Sequence, residues 1–483
     1  MRYSFSVRRA VLLAAIGAGT LARLLQTIEK PLWADEVFTL VLARLPAASI
    51  LEALRSDSGG PLHYLVARVL LLPFGPPGPH DTLVRALSVV ASLLHLPLLV
   101  LVARRLGSAE SGPRAAALYA LFPLAIYFGA EGRSYVLASL LTLVAFERAL
   151  ALRESPSTGR VAGLALASGL AVHMHYLAVF PIAGFLVLLI GATPRARLGL
   201  AAGGAGGALL FLPWLPAVLH QPLAALAWTR FVPFETRLLR LPATLLGFPE
   251  PERPTLLLAL LAAGALAGFA LRAFRGPLAP AAGVLVLGLA LFLAASLRIE
   301  TILRPGRSVF FFLPFVALLA AAAPRPLPLV LGLLSTAAAP LVFWSAHFPS
   351  ANETLADLVI PQVARGGRVA VAGLPALEMD YRLSRAGLPG RVVFFPSEVG
   401  RHPGWYEENE VPEVRLRDEA AFLVGRPDRP VIFVLPHGLR ASAALRSALE
   451  PFAPHRLVRH PVADVLAAPM AGRHPRLDDS PNP

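Results

Sequence analysis

Apolar residues run in long blocks, separated by short polar connections, through the first 345 positions, and the rhythm changes afterwards. A helix rises about 1.5 Å per residue, so crossing a hydrocarbon core of about 30 Å takes roughly 20 residues. Blocks of that size predict eleven membrane-spanning helices, near 7–28, 82–104, 113–130, 133–152, 159–174, 176–191, 197–219, 254–274, 278–297, 306–323 and 327–345. Interior prolines such as Pro213 and Pro216 are compatible with spanning helices. The stretch 60–74 is apolar but short and carries His63, Tyr64 and Arg68, a pattern that predicts a helix lying in the membrane interface.

Beyond 345 the pattern shortens to strand-sized and helix-sized pieces. Val369–Gly373, Arg391–Phe395, Pro430–Leu435 and Leu457–Ala468 read as strands, with helices at 376–386 and 440–452. That alternation predicts a small α/β domain. Its first turn, Ala372-Gly373-Leu374-Pro375, lacks the glycine spacing of a dinucleotide site. The expected organisation is therefore a transmembrane domain over 1–345 with outward loops 29–81 and 220–253, an extracytoplasmic α/β domain over 346–470, and a polar, Pro-rich, disordered tail over 471–483.

Composition agrees with spans rather than a soluble core. Of 483 residues 56% are hydrophobic and only 15% charged, with mean hydropathy +0.63; soluble chains average about 25% charged. An ordinary soluble enzyme is excluded. The net charge of +14 comes without a run of five basic residues or a basic, aromatic-interleaved stripe, so nucleic acid is not an expected partner. Arginines gather instead in alternate short connections: Arg2, Arg8 and Arg9; Arg104, Arg105 and Arg114; Arg153 and Arg160; Arg195 and Arg197; Arg272 and Arg275; Arg325. The positive-inside rule then places the N-terminus in the cytoplasm, and 29–81, 131–132, the turn near 175, 220–253, 298–305 and everything after 345 outside. The start resembles a signal peptide but shows no clear cleavage site, so an uncleaved first span is expected. Lys30 is the only lysine, and cysteine is absent, which excludes disulfides, thiolate metal sites and cysteine nucleophiles.

Five outward segments carry candidate chemistry. In Pro31-Leu32-Trp33-Ala34-Asp35-Glu36-Val37-Phe38, two carboxylates sit among aromatics: either a solvated interfacial turn anchored by Trp33, or a general base or oxygen ligands for a divalent cation. Ser56-Asp57-Ser58-Gly59-Gly60-Pro61-Leu62-His63-Tyr64 offers Asp57 and His63 as ligands, or as a helix cap and an interfacial ring. Glu131-Gly132-Arg133-Ser134-Tyr135 places charges at a membrane boundary, either snorkelling or functional. His173-Met174-His175-Tyr176 is a weak two-histidine metal signal. Arg298 to Ser308 sets a basic cluster outside, against the general charge rule, where Arg304 and Arg307 suit phosphate. All five fall on one side of the membrane, which favours a common site at the outer leaflet.

These motifs resemble the GT-C superfamily of polyprenyl-phosphate-sugar-dependent glycosyltransferases, in particular the family 39 type related to protein O-mannosyltransferases and the aminoarabinose lipid A transferase. Trp33-Ala34-Asp35-Glu36 is similar to the family's W-x-D-E element, Pro61-Leu62-His63-Tyr64 to P-P-L-Y-Y, Glu131–Tyr135 to E-x-R-S-Y, and His175-Tyr176 to the later H-Y. Gly306-Arg307-Ser308 is loosely similar to P-R-Y, and Met379-Asp380-Tyr381-Arg382-Leu383 resembles the residues after the first strand of the soluble domain. Departures are Gly59 where His or Glu is usual, Gly60 for the first proline, His63 for a tyrosine, and no tyrosine after Arg307.

The resemblance covers 5–345 and implies a polytopic α-helical, GT-C-like fold with an outward-facing site in a bacterial inner membrane. It implies inverting transfer of a sugar from a polyprenyl-phosphate donor to a lipid, glycan or protein acceptor, with Asp35 as general base. Arg133 and Arg307, with Arg304, would hold the phosphate, and Glu36, His63, Tyr64, Glu131, Tyr135, His175 and Tyr176 would contact substrate. A divalent metal ion is an optional cofactor, with Asp35, Glu36 and Asp57 as candidate ligands; no other cofactor is implied. The competing expectations are a transporter or lipid flippase, for which Arg23, Arg85 and His95 inside spans would argue, and a catalytically dead scaffold.

Overall fold

The computed structural model describes residues 2–30, 32–75, 77–221, 232–250, 255–324, 330–338, 351–401, 411–425, 432–452, 454–460 and 463–467. Of the last expected span, 327–345, only the helical 330–338 is described; part of the loop 220–253 and the tail 471–483 lie outside the described residues. The chain divides into two units. One comprises Met1–Lys30, Ile50–Leu71 and Thr82–Phe348, and the other Pro31–Ser49, Leu72–Asp81 and Pro349–Pro483.

The first unit is a polytopic α-helical membrane fold. Among the described residues six helices are long and apolar enough to cross a membrane: Arg9–Glu29, His80–Arg105, Tyr135–Glu154, Pro194–His220, Leu256–Phe274 and Ala279–Ser296. Other expected spans are shorter or interrupted, and proline explains several interruptions. The block 113–130 breaks into Ser111–Leu121 and Pro123–Gly129, with Phe122 between them at ψ 120°. Pro123 has no N–H to continue the ladder and its ring drives the preceding residue out of helical ψ. Likewise 306–323 becomes Pro305–Ser308, Phe310–Phe312 and Leu313–Ala321, and 176–191 becomes Tyr176–Ala178, Val179–Gly184 and Phe185–Leu189.

Helices in this unit pack through small residues and aromatic rings. A Cβ on Gly184 would lie 2.6 Å from the Val284 carbonyl oxygen, and one on Gly288 2.9 Å from that of Phe180, so glycine permits these backbones to touch. Phe146, Phe292, Phe310, Phe311, Phe312 and Phe315 fill the core. Leu256, Leu257, Leu260 and Leu261 stay exposed along one helix, as a lipid-facing surface requires.

The charged and polar residues inside spans have structural partners. Arg23 donates from Nε to Ser92 Oγ at 2.7 Å and from Nη1 to the carbonyls of Gly19 and Ala120, both at 2.7 Å. The Ala120 carbonyl lies at the end freed by the Pro123 break, so the guanidinium satisfies a helix terminus that lipid could not. Arg85 donates to the carbonyls of Thr27 and Lys30 at 3.1 and 2.5 Å, and thus caps the first helix. His95 donates from Nδ1 to Ala91 at 2.8 Å, accepts at Nε2 from Ser139 Oγ at 3.1 Å, and stacks on Tyr119 at 4.7 Å. The residues that would argue for a transport path therefore serve helix packing.

The second unit contains a five-stranded sheet of order β2-β1-β3-β5-β4, with β1 Val369–Ala372, β2 Val392–Phe395, β3 Ile432–Pro436, β4 His455–His460 and β5 Ala463–Ala467. β1 pairs in parallel with β2 and β3, while β5 pairs antiparallel with β3 and β4. β1 and β3 are buried along their whole length, as parallel strands covered by helices should be. The single strand expected at 457–468 is two strands of a hairpin, and helices Ala351–Ala364 and Glu413–Gly425 were not expected from the pattern. Proline inside the first of them, Pro361, and a solvated face on the second obscure the helical period.

First-loop segments pack with this sheet domain. Helix Ala34–Arg44 lies against helix Pro375–Arg385. Arg382 Nη2 donates to the Leu32 carbonyl at 2.9 Å and to Glu378 Oε1 at 2.6 Å. Tyr381 donates to buried Asp81 Oδ2 at 2.6 Å; Asp81 also pairs with Arg44 and accepts from the Gly78 N–H at 3.1 Å.

Candidate active site

In the membrane unit, four of the candidate segments come together around His175. The chain enters through the turn 56–60. Asp57 Oδ1 accepts from the Ser58 N–H at 2.6 Å, and the Gly59 carbonyl accepts from Tyr176 Oη at 2.8 Å and Gln221 Nε2 at 3.3 Å. Trp214 Nε1 donates to the same Tyr176 hydroxyl at 2.8 Å. A Cβ on Gly60 would sit 2.4 Å from the His173 carbonyl oxygen, so this glycine lets the two backbones meet where proline could not. The ring of Tyr64 covers Gly59.

His63, on helix Pro61–Leu71, is buried and donates from Nε2 to the Gly132 carbonyl at 3.1 Å. It thereby joins the first loop to the tight turn 131–134, where the Arg133 N–H returns to the Glu131 carbonyl at 2.8 Å. Glu131 is buried and Arg133 half-buried. Tyr135 starts the helix Tyr135–Glu154, with its ring 5.0 Å from His175, and the ring of Phe311 lies 4.9 Å from the same imidazole.

The fourth segment supplies cations. Arg304 and Arg307 flank the single turn Pro305–Ser308, which is held by Ser308 bonds to Arg304 and Ile302 and by Glu250 Oε1 accepting from the Gly306 N–H at 2.8 Å. Buried Arg237 fixes the approach by donating to the carbonyls of Glu300 and Leu303 at 2.6 and 3.1 Å. Burial pushes the His175 imidazole down to about 3, and the positive charges of Arg304, Arg133 and Arg307, then His63, add to the shift. Its Nδ1 accepts from the Leu177 N–H at 3.3 Å, which leaves Nε2 protonated. The result is a neutral hydrogen-bond donor in the field of three guanidinium charges, beside the rings of Tyr135 and Phe311. Such a group suits an anionic, phosphate-bearing ligand.

Asp35 and Glu36 belong to the other unit. Both sit in the first turn of helix Ala34–Arg44. Buried Glu36 accepts from the Trp33 N–H at 3.4 Å, the backward bond of a capping box, so it secures the helix start. Asp35 is half-buried, and its carbonyl accepts from Thr39 Oγ1 at 3.0 Å. Among the described residues no three His, Cys, Asp or Glu side chains gather into a group that could hold a metal ion. Sequence reading passed over Arg237, Glu250 and Trp214, whose partners are distant in the chain.

Residues 59–217 match the dolichyl-phosphate-mannose-protein mannosyltransferase family. Among solved structures, the chain is similar to ArnT from Cupriavidus metallidurans bound to undecaprenyl phosphate, at 14% identity and TM-score 0.61, covering 96% of this chain and 99% of that one. The apo ArnT of the same organism gives 16% identity and TM-score 0.52 over 95% and 98% of the chains. The archaeal oligosaccharyltransferase AglB from Archaeoglobus fulgidus, in complex with an inhibitory peptide and a dolichol-phosphate, gives 13% identity and TM-score 0.51 over 96% and 74%. No curated protein matches the sequence. The chain has the GT-C fold of membrane glycosyltransferases.

Proposed function

We propose that this GT-C chain is an inverting glycosyltransferase that moves a sugar from a polyprenyl-phosphate donor to an acceptor on the outer side of a bacterial inner membrane. The observation that carries the proposal is that the charges of Arg304, Arg133 and Arg307 all act on the buried imidazole of His175, between the segments that hold Tyr135 and Phe311. A lipid phosphate needs several charge-assisted donors in a place water reaches poorly, and guanidinium groups supply them in planar pairs. Two of the similar structures hold polyprenyl phosphates, undecaprenyl phosphate in ArnT and dolichol-phosphate in AglB, which supports the same donor class here.

Inversion takes one displacement. Asp35 removes the proton of an acceptor hydroxyl, the oxygen attacks the anomeric carbon, and the carbon–oxygen bond to phosphate breaks with its electrons on the leaving polyprenyl phosphate. Arg133, Arg304 and Arg307 stabilise the charge that grows on that phosphate, and His175 Nε2–H donates without adding a formal charge. Glu131, Tyr135, Tyr64 and Tyr176 line or brace the sugar and phosphate positions. The acceptor class is a lipid, glycan or protein bearing a nucleophilic hydroxyl.

Asp35→Asn tests the base assignment. The variant keeps the size and the hydrogen-bonding shape but cannot take a proton. Transfer should fall at least about 100-fold, the lower end of general-base contributions, with unchanged membrane insertion and detergent-solubilised melting temperature. Undiminished turnover rejects Asp35 as base.

A further inference from the structure

The end of the first helix holds two buried polar side chains that the transfer scheme does not use. Lys30, the only lysine in the chain, is 6% exposed, and Gln26, four residues earlier, is fully buried. Four residues apart they lie one above the other on a single helix face. Neither Lys30 Nζ nor either amide atom of Gln26 has a hydrogen-bond partner among the described residues. The ammonium rests 4.2 Å from the ring centre of Tyr127, and that ring meets Phe128 at 5.2 Å, Phe128 meets Tyr135 at 4.8 Å, and Tyr135 meets His175.

The usual tasks of such residues are already filled. A lysine just past a helix C-terminus commonly binds the last carbonyls, yet here Arg85 takes the carbonyls of Thr27 and Lys30. A cation over an aromatic face recovers only part of the desolvation cost of a buried charge, and a buried amide with no partner is costly as well. Two such groups on one face, beside the ring chain that leads to the cationic cluster, point to a ligand that brings the missing partners.

We infer that Lys30 and Gln26 form a further phosphate-binding subsite of the membrane unit: the ammonium takes a phosphate oxygen, and the Gln26 amide takes an oxygen or hydroxyl of the same ligand. The ligand class is a phosphorylated lipid or free phosphate. The inference deepens the transfer scheme and rests on it for the ligand class, but its test does not depend on Asp35.

Because the chain has one lysine, amine-directed chemistry reports on one side chain besides the N-terminus. The full-length protein in detergent is reductively methylated with formaldehyde, and the Lys30 rate is followed by peptide mass spectrometry. Undecaprenyl phosphate should slow methylation at least tenfold, and undecaprenol should leave it unchanged. Protection by inorganic phosphate alone would support the subsite and assign it to free phosphate. No protection by either, or a Lys30 that never reacts in the ligand-free protein, overturns it. Stability supplies a second readout. Lys30→Met and Gln26→Leu remove unpartnered groups while keeping volume, so both variants should melt at or above the wild-type temperature while binding undecaprenyl phosphate at least tenfold more weakly. A lowered melting temperature with unchanged binding assigns both residues to packing and overturns the subsite. Failure of the Asp35 test with protection at Lys30 intact would reject the base and leave the subsite standing.

Discussion

At His175 a buried histidine in the field of three arginines stays neutral where an exposed one would titrate, and the sign of that shift has a measurable consequence. The folded imidazole binds its proton only near pH 3, whereas the unfolded chain binds one near the ordinary value of 6.5. Between those values the unfolded state holds the extra proton, so stability contributed by neutral His175 is complete above about pH 6.5 and is lost as the pH falls toward 3. His175→Gln removes the titration. Unfolding free energy measured from pH 7.5 to 4.5 should fall more steeply for the wild type than for the variant, by at most about 1.4 kcal/mol per pH unit; parallel curves would contradict a depressed imidazole. At this scale the sequence was readable where chemistry sits in consecutive residues. Glu131 to Tyr135 form a tight turn whose members cannot separate, and His175-Tyr176 is a similar case. Lys30 and Gln26 were visible as residues, but burial without a partner is a property of the packed helix and leaves no mark in spacing.

Single elements show how the candidate base is held. Helix Ala34–Arg44 carries Asp35, and its unit fastens it through Arg382 to Leu32, through Arg44 to Asp81, and through Tyr381 to the same Asp81. Burial, then the bond to the Asp81 carboxylate, hold the Tyr381 phenol above its usual range, so it stays a donor at any working pH. Tyr381→Phe removes one bond to a buried carboxylate, a loss of about 1.5–3 kcal/mol, and loosens the segment that carries the base. The expected kinetic result is a several-fold lower kcat with KM for the lipid donor within about twofold; equal kcat would show that the contact does not position Asp35. Tyr381 and Asp81 are 300 residues apart, and no periodicity links them. The pattern located the strands and helices near them because hydrophobic alternation is local. It did not separate β4 from β5 within the region 457–468, although Pro461 between them is a residue that interrupts a strand.

For the whole molecule, hydropathy alone separated a membrane unit from an α/β unit, because lipid and water demand opposite surfaces. The pattern was less informative about spans interrupted by proline, where two or three short helices occupy one apolar block. It also assigned 29–81 entirely to an outward loop of the membrane domain, whereas Pro31–Ser49 and Leu72–Asp81 group with the C-terminal sheet. The most direct test of the account is chemical. Purified protein is incubated with radiolabelled undecaprenyl-phosphate sugar and an envelope extract as acceptor source, and the lipids are resolved by chromatography. Transfer predicts free undecaprenyl phosphate appearing in step with label in a glycosylated product, and neither with Asp35→Asn. Donor that remains intact with active lipid binding, or that crosses a vesicle bilayer unchanged, would contradict it.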